Sequence, residues 1–414
     1  MRSDDIRRGR TRSGRCLGRV DMPFRRLRRW RLASVERRLK IAALHRRPLT
    51  PAETHMPRHL PSLDGLRAIA VLLVLWEHVP LNTSGYPVWL VQVKQLLGPG
   101  GLGVELFFAL SGFLITRILI AERERSVPVR WFLLRRLLRI FPIYYLLLGV
   151  LSWTQSWPSI TWGALYLRNF ADVFAPVPDP LPLSHTWSLC VEEHFYLLWP
   201  LVVAFCPKAA GPRVLTWFVM PVAVVGALVV CLTCGDQRDW IIERLSPFRF
   251  LTLAAGALAA YAEPRLSSPS SYGPLRVGIL LTLLGLAIHP FLWFVLIPYG
   301  LEVGYWPIHL NPVVVRLHTA IFCTGVLLWC LARRGPFGLP HLLLTARPLR
   351  AIGRISYGLY LYHMPIYAVV LMPDPAGAKV WQAVGWTFLA ATASYWVLER
   401  PILRYAARFR WRDD

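Results

Sequence analysis

Arg67 and His78 are the two residues whose types and spacing point most directly to chemistry, and both lie in one apolar segment. On an α-helix, eleven residues correspond to three turns plus about 20°, so the two side chains face one side, about 16 Å apart along the axis. A guanidinium binds phosphate or carboxylate, and an imidazole, with an unperturbed pKa of about 6.5, can remove a proton from a hydroxyl. The pair indicates either an anion-binding entrance with a deep general base, or two structural polar groups.

Polar and ionisable residues also occur in three later apolar segments. The further candidates are Glu105, Ser111 and Gly112 in GGLGVELFFALSGFLITRIL, His185, Trp187, Ser188, Glu192 and Tyr196 in SHTWSLCVEEHFYLLWP, and Tyr357, Tyr360 and His363 in GRISYGLYLYHMPI. An ionisable residue at the centre of a membrane span costs about 2.5–3.5 kcal/mol on insertion scales, so each needs a structural partner or a function.

Several of these candidates could have either of two roles. The carboxylate of Glu192 or of Glu105 could fix the tautomer of the histidine, and Glu192 could instead bind an acceptor hydroxyl. Gly112 allows close approach by a ligand or by another helix. Trp187 and Tyr196 also fit an aromatic belt at the membrane interface. His363 is either a second reactive histidine or a packing residue.

The stretch RRLLRIFPIYY, residues 135–145, contains three arginines shortly before Pro142. We expect it in a loop that precedes the third span. Arg135, Arg136 and Arg139 suit the cytoplasmic side of a membrane protein. They also suit a site for a donor that carries several phosphates. The two interpretations are compatible.

The composition and the apolar runs define the elements that must position these residues. The chain has 414 residues, of which 55% are hydrophobic and only 17% charged, against about 25% charged residues in soluble domains. Runs of about 20 apolar residues match the thickness of a bilayer core. We therefore predict an all-α polytopic membrane helical bundle of about ten transmembrane helices. The predicted spans are residues 63–81, 101–120, 140–153, 187–206, 214–233, 247–262, 276–299, 313–332, 352–372 and 379–398.

The distribution of charge predicts the orientation and the domain organisation. Arginines concentrate in the loops after the second and eighth spans, which places both termini in the cytoplasm. The net charge is +24, but residues 1–48 contribute 17 Lys/Arg against four acids, so no nucleic-acid partner is expected. We predict a basic, disordered cytoplasmic tail over residues 1–57, a transmembrane domain over 58–402 and a short basic tail over 403–414. One Cys-x-x-C pair cannot complete a zinc site, so no metal is expected.

Five motifs in this order resemble the acyltransferase-3 family of membrane O-acyltransferases, and the resemblance runs from Leu63 to Pro401. LDGLRAIAVLLVLWEH resembles its first-helix pattern of a basic residue, ten others and a histidine. The remaining motifs map to Glu105, Ser111 and Gly112, to Arg136 and Arg139, to Trp187, Ser188 and Glu192, and to Ser356, Tyr357 and His363. His194 departs from the family, where a glutamine is common. The chain lacks the C-terminal esterase-like domain of many relatives, so we expect a stand-alone form.

The resemblance implies transfer of an acyl group, commonly acetyl, from a donor similar to acetyl-CoA onto a hydroxyl of a surface glycan or glycolipid at the bacterial inner membrane. Arg136 and Arg139 would bind donor phosphates, and the pantetheine arm would pass Arg67. His78 would act as general base or would carry the acyl group. Macrolide acylation and proton-coupled transport are the alternatives, since buried ionisable residues also suit a carrier. The oligomeric state stays open.

Overall fold

The structure, a computed structural model, describes residues 59–80, 94, 101–175, 181–266, 273–290, 311–331, 339–371 and 377–409. These residues form helices and turns without a strand, which confirms the predicted all-α class. The predicted tail over residues 1–57 and the last five residues lie outside the described part. Residues 403–409 are helical, in a helix that ends at Ala406 and a 3-10 turn that follows it.

Sixteen helices are numbered here in chain order within the described ranges. They are α1 Pro61–Glu77, α2 Gly101–Glu124, α3 Val129–Leu151, α4 Trp157–Ala164, α5 Arg168–Phe174, α6 Trp187–Phe205, α7 Ala210–Thr233, α8 Arg238–Arg244, α9 Ser246–Leu266, α10 Gly273–Pro290, α11 Asn311–Leu331, α12 Leu339–Leu344, α13 Arg347–Arg354, α14 Ser356–Val370, α15 Gly377–Ser394 and α16 Arg400–Ala406. The 3-10 turn Leu181–Thr186 leads into α6, the π turn Leu215–Val219 interrupts α7, and the π turn Tyr395–Glu399 joins α15 to α16.

Each predicted span overlaps at least one of these helices, and residues 291–299 of the seventh span lie outside the described part. The largest difference concerns the third span. Helix α3 begins at Val129, eleven residues before the predicted start, so the arginine-rich stretch predicted as a loop is helical. Arginine and leucine are both good helix formers, and the positive charges indicate a side of the membrane rather than an irregular backbone. The three arginines are therefore held on a regular element.

Four described helical segments are long and apolar enough to cross a membrane: Gly101–Glu124, Pro182–Phe205, Ala210–Thr233 and Pro312–Leu331. A fifth is possible if Gly235–Arg244 and Ser246–Glu263, bent by 44°, form one span. Large apolar side chains such as Trp217, Phe218 and Leu232 on α7 point outward, as expected for a surface that faces lipid. The protein is a membrane helical bundle, while ten crossings and cytoplasmic termini stay predictions.

Small residues bring the central helices into close contact. A Cβ atom on Gly112 of α2 would overlap the carbonyl of Leu253 on α9, and one on Gly256 of α9 would overlap the carbonyl of Ala109. Helix α1 packs against α2 and α13, and Gly65 and Gly353 lie where a Cβ would meet a backbone carbonyl. These contacts fix α1 and α2, the helices that carry Arg67, His78 and Ser111.

Candidate active site

A cavity between α1, α2, α3, α6 and α14 collects most of the predicted site residues. Its polar lining consists of Arg67, Ser111, Arg136, Arg139, Ser188, Glu192, Tyr196, Ser356, Tyr357 and Tyr360. Because these residues come from five helices, the cavity exists only when the bundle is packed. Residues from all five sequence motifs thus line one cavity.

The three arginines give the cavity an excess of positive charge. Arg67 Nη1 lies 3.1 Å from Asp64 Oδ1. Arg136 lies over the rings of Phe132 and Tyr196, with its guanidinium carbon 5.5 Å from each centroid. Among the described residues, neither Arg136 nor Arg139 forms a salt bridge. Guanidinium groups with unused donors are suited to phosphate oxygens.

Glu192 is held inside this cavity rather than beside a histidine. The hydroxyl of Tyr196 donates a hydrogen bond of 2.7 Å to Glu192 Oε2, and the Ser111 hydroxyl bonds to the Tyr196 hydroxyl. This differs from the expectation that Glu192 orients His78. Tyr196, four residues along the same helix, is simply the nearer partner, so Glu192 shapes the cavity wall.

Tyr360 separates the cavity from the histidines. Its hydroxyl donates to the backbone carbonyl of His185 at 2.8 Å and bonds to the Ser188 hydroxyl. The ring of Phe107 packs edge-on against the Tyr360 ring, with centroids 6.1 Å apart. Tyr360 and Ser188 line the cavity on one side, whereas none of the three histidines does. Tyr360 therefore contacts both the cavity and the rings of His185 and His363.

Beyond Tyr360, three histidines from distant parts of the chain converge. His78 Nδ1 lies 3.3 Å from His363 Nε2, and the His185 and His363 rings have centroids 4.9 Å apart. Lys94 fixes the end of α1 here, because its Nζ donates to the carbonyls of Glu77 and Val79 at 2.7 and 2.6 Å. No group of His, Cys, Asp or Glu among the described residues has an arrangement that suits a metal ion.

The hydrogen bonds determine which nitrogen of His78 is free. His78 Nδ1 lies 2.9 Å from the Val74 carbonyl, and His363 Nδ1 lies 2.6 Å from the Tyr360 carbonyl. A carbonyl only accepts, so both Nδ1 atoms carry the proton in the neutral rings. His363 Nε2 is then an acceptor for the same Nδ1–H of His78. The remaining nitrogen, His78 Nε2, keeps its lone pair and is the basic and nucleophilic atom.

A second set of arginines lies near the histidine end, and the sequence interpretation missed it. Glu105 Oε1 pairs with Arg249 at 2.9 Å and with Arg316 at 3.0 Å. Arg249 also lies over the Trp187 ring at 4.7 Å, as does Arg244 at 4.9 Å. Both Arg249 and Arg316 fall inside predicted spans. The high cost of an ionisable residue within a span, which drew attention to the other candidates, would therefore also have identified these two arginines.

The structure also shows the positions of five other candidate residues. Arg135 lies outside the cavity, because it pairs with Glu122 and donates to the Phe409 carbonyl at 3.0 Å. Gly112 serves the packing of α2 on α9 rather than a ligand. Glu105 pairs through Oε1 with two arginines rather than with a histidine. Trp187 and Tyr196 are buried and belong to the interior rather than to an aromatic belt.

The family follows from a comparison of the whole sequence with family models. The model described as "Acyltransferase domain" matches residues 60–399, which include every helix of the cavity and all three histidines. The chain belongs to this acyltransferase family. The motif resemblance noted in the sequence is therefore confirmed, and the matched region includes the described helices from α1 to α15.

Individual relatives of this acyltransferase-family chain are O-acetyltransferases by name. It is 29% identical to O-acetyltransferase OatA of Staphylococcus aureus over 76% of this chain and 52% of the relative. It is 28% identical to Peptidoglycan O-acetyltransferase OatA of Listeria monocytogenes, over 83% and 56%. Putative peptidoglycan O-acetyltransferase YrhL of Bacillus subtilis is 28% identical, over 84% and 56%. The chain spans about half the length of the curated relatives it matches. No solved structure matches it.

Proposed function

We propose that the protein is an O-acetyltransferase of the bacterial inner membrane that moves an acetyl group from acetyl-CoA to a hydroxyl of a glycan. The observation that carries this proposal is the arrangement along α1, where an arginine-lined cavity begins at Arg67 and a histidine with a free Nε2 lies at the far end. The names of the relatives support acetyl as the group and peptidoglycan as the type of glycan.

The donor would bind at the arginine end, which we place on the cytoplasmic side. Its nucleotide phosphates would accept hydrogen bonds from Arg136 and Arg139. The pantetheine arm would run past Arg67, Ser111 and Tyr196 along the cavity. The rise from Arg67 to His78 is about 16 Å, a length that an extended pantetheine arm can span, so the thioester reaches the histidines once Tyr360 moves aside.

His78 Nε2 would then act as the general base. It removes the proton of the acceptor hydroxyl while that oxygen attacks the thioester carbonyl. The carbon–sulfur bond breaks, the ester forms, and the departing thiolate takes the proton back from His78 to leave as CoA thiol. His363 Nε2 accepts the hydrogen bond of His78 Nδ1–H throughout, which stabilises the imidazolium formed between the two steps.

The same lone pair could attack the thioester itself and give an acyl-imidazole that the hydroxyl then opens. The two routes differ in one measurable respect. Donor labelled in the acetyl group, mixed with protein in the absence of acceptor and quenched in denaturant, leaves label on the chain only if the acyl group resides on His78. Loss of that label in His78→Ala would assign the position.

The function is tested with purified protein in lipid nanodiscs, labelled acetyl-CoA and a peptidoglycan-derived acceptor. We expect ester formation by the native protein and loss of it in His78→Ala, with CoA binding retained. His318→Gln is the matched control, because His318 is also buried but bonds to the Gly285 carbonyl on α10. A native protein that forms no ester from any glycan, or a His78→Ala variant with full turnover, would refute the proposal.

A further inference from the structure

Arg244, the last residue of α8, packs against two tryptophan rings near the histidines. Its guanidinium carbon lies 4.1 Å from the centroid of the Trp240 ring and 4.9 Å from that of Trp187. Trp187 follows His185 by two residues, so the aromatic faces adjoin the histidine cluster. Arg244 is also within electrostatic range of both His78 and Tyr360. A positively charged group between two aromatic rings therefore lies close to the histidines.

The guanidinium of Arg244 has hydrogen-bond donors that no described residue uses. Its side chain is only 11% exposed, and its nearest carboxylate oxygen, Oδ2 of Asp172, is 3.8 Å away, which is too far for a hydrogen bond. Asp172 is already engaged by Arg168 at 2.8 Å. Nε and Nη1 of Arg244 are buried without a hydrogen-bond partner among the described residues. Buried donors without partners are costly, so the site is built for an acceptor group that arrives with a ligand.

The charges around Arg244 leave a net positive field for that ligand. Four arginines gather at this end, and three carboxylates lie among them. The arginines are Arg168, Arg244, Arg249 and Arg316, and the carboxylates belong to Asp172, Glu105 and Glu243. Arg168 pairs with Asp172 at 2.8 Å, and Glu105 is shared by Arg249 and Arg316. Asp172 and Glu243 act on Arg244 at longer range, and the four guanidinium groups exceed the three carboxylates by one positive charge. This excess charge can attract an anion.

We propose that Arg244 and Trp240 form the acceptor subsite and select a glycan that bears a carboxylate. This inference rests on the proposed function. The fork of the guanidinium matches the two oxygens of a carboxylate. The half-exposed indole of Trp240, 45% exposed, offers an apolar face to the sugar ring. A sugar held in this way would lie near the histidine cluster and could present a hydroxyl to His78 Nε2.

The test compares two acceptors that differ in one group: a glycan oligomer with free carboxylates and the same oligomer with its carboxylates converted to amides. Amides keep the size and add no hydroxyl. We expect the KM of the native protein to be lower for the carboxylate form than for the amide form by about tenfold or more. This factor corresponds to the free energy of one hydrogen bond to a charged group. Arg244→Gln should erase this difference by raising the KM for the carboxylate form. Arg244→Lys should restore part of it, because the charge returns without the fork.

Arg238→Gln is the matched control, because Arg238 lies on the same helix but bonds to the Gly235 carbonyl at 3.0 Å; it should keep the native preference. If the native protein acetylates both acceptors with the same KM, the inference fails and the proposed function stands. Equal effects of Arg244→Gln on both acceptors would also overturn it and would make Arg244 a structural or lipid-facing group. Absence of ester from either acceptor would instead refute the proposed function.

Discussion

Replacement of Arg136 and Arg139 by glutamine should weaken donor binding unequally. Both residues line the cavity, but Arg136 is partly buried against Phe132 and Tyr196, whereas Arg139 is exposed at the mouth. A hydrogen bond to a charged group in a partly buried position is worth about 1.5–3 kcal/mol, and an exposed pair about 0.2–1 kcal/mol. We therefore expect Arg136→Gln to raise the Kd for CoA by about tenfold or more, and Arg139→Gln by about two- to fivefold.

The assay that checks this is calorimetric titration of the protein in nanodiscs with CoA and with a pantetheine derivative that lacks the nucleotide phosphates. If the two arginines bind phosphates, the variants lose affinity for CoA and keep their affinity for the phosphate-free ligand. Arg130→Gln is the control, because Arg130 is exposed on the same helix and lies over Trp131 outside the cavity. Equal weakening of both ligands would refute the reasoning, since the arginines would then act on the cavity as a whole.

Two further predictions concern the histidine end. His363→Phe should lower kcat by about 10- to 100-fold with donor affinity retained, because the imidazolium of His78 loses one charge-assisted acceptor. His363→Asn can still accept this hydrogen bond and should retain more activity. Equal activity of the two variants would contradict the role given to His363. Glu105→Gln should destabilise the protein by about 3–5 kcal/mol, because it leaves Arg249 and Arg316 without their shared carboxylate. Thermal unfolding in detergent measures this loss against Glu124→Gln at the exposed end of the same helix, and an unchanged midpoint would show that Glu105 is protonated or dispensable.

The helical period predicted that Arg67 and His78 share one side of α1. In the structure α1 ends at Glu77, His78 follows it directly, and only Arg67 of the two lines the cavity, so the shared side stays a prediction. The convergence of His78, His185 and His363 was not predictable from a helical period, since packing brings together three segments separated by more than 100 residues. The exclusion of Arg135 from the cavity likewise depends on packing between helices. On a helix, Arg135, Arg136 and Arg139 fall within an arc of about 100°, and only the position of Glu122 on α2 decides that Arg135 is removed from the cavity.

The contact of Tyr360 with Ser188 gives a physical reason for the separation of donor cavity and histidines. A thioester beside a free imidazole nitrogen would be lost to hydrolysis if water reached both from the cavity. The Tyr360 hydroxyl bonds to the His185 carbonyl and its ring packs on Phe107, so in the proposed reaction Tyr360 would keep water in the cavity away from the histidines until the donor arrives. Because these bonds are few and involve one side chain, the pantetheine arm of the proposed donor would open the contact at low cost. In the proposed reaction the phosphates of the donor would stay at the arginines, and the extended pantetheine arm would hold the acyl group beside the histidines.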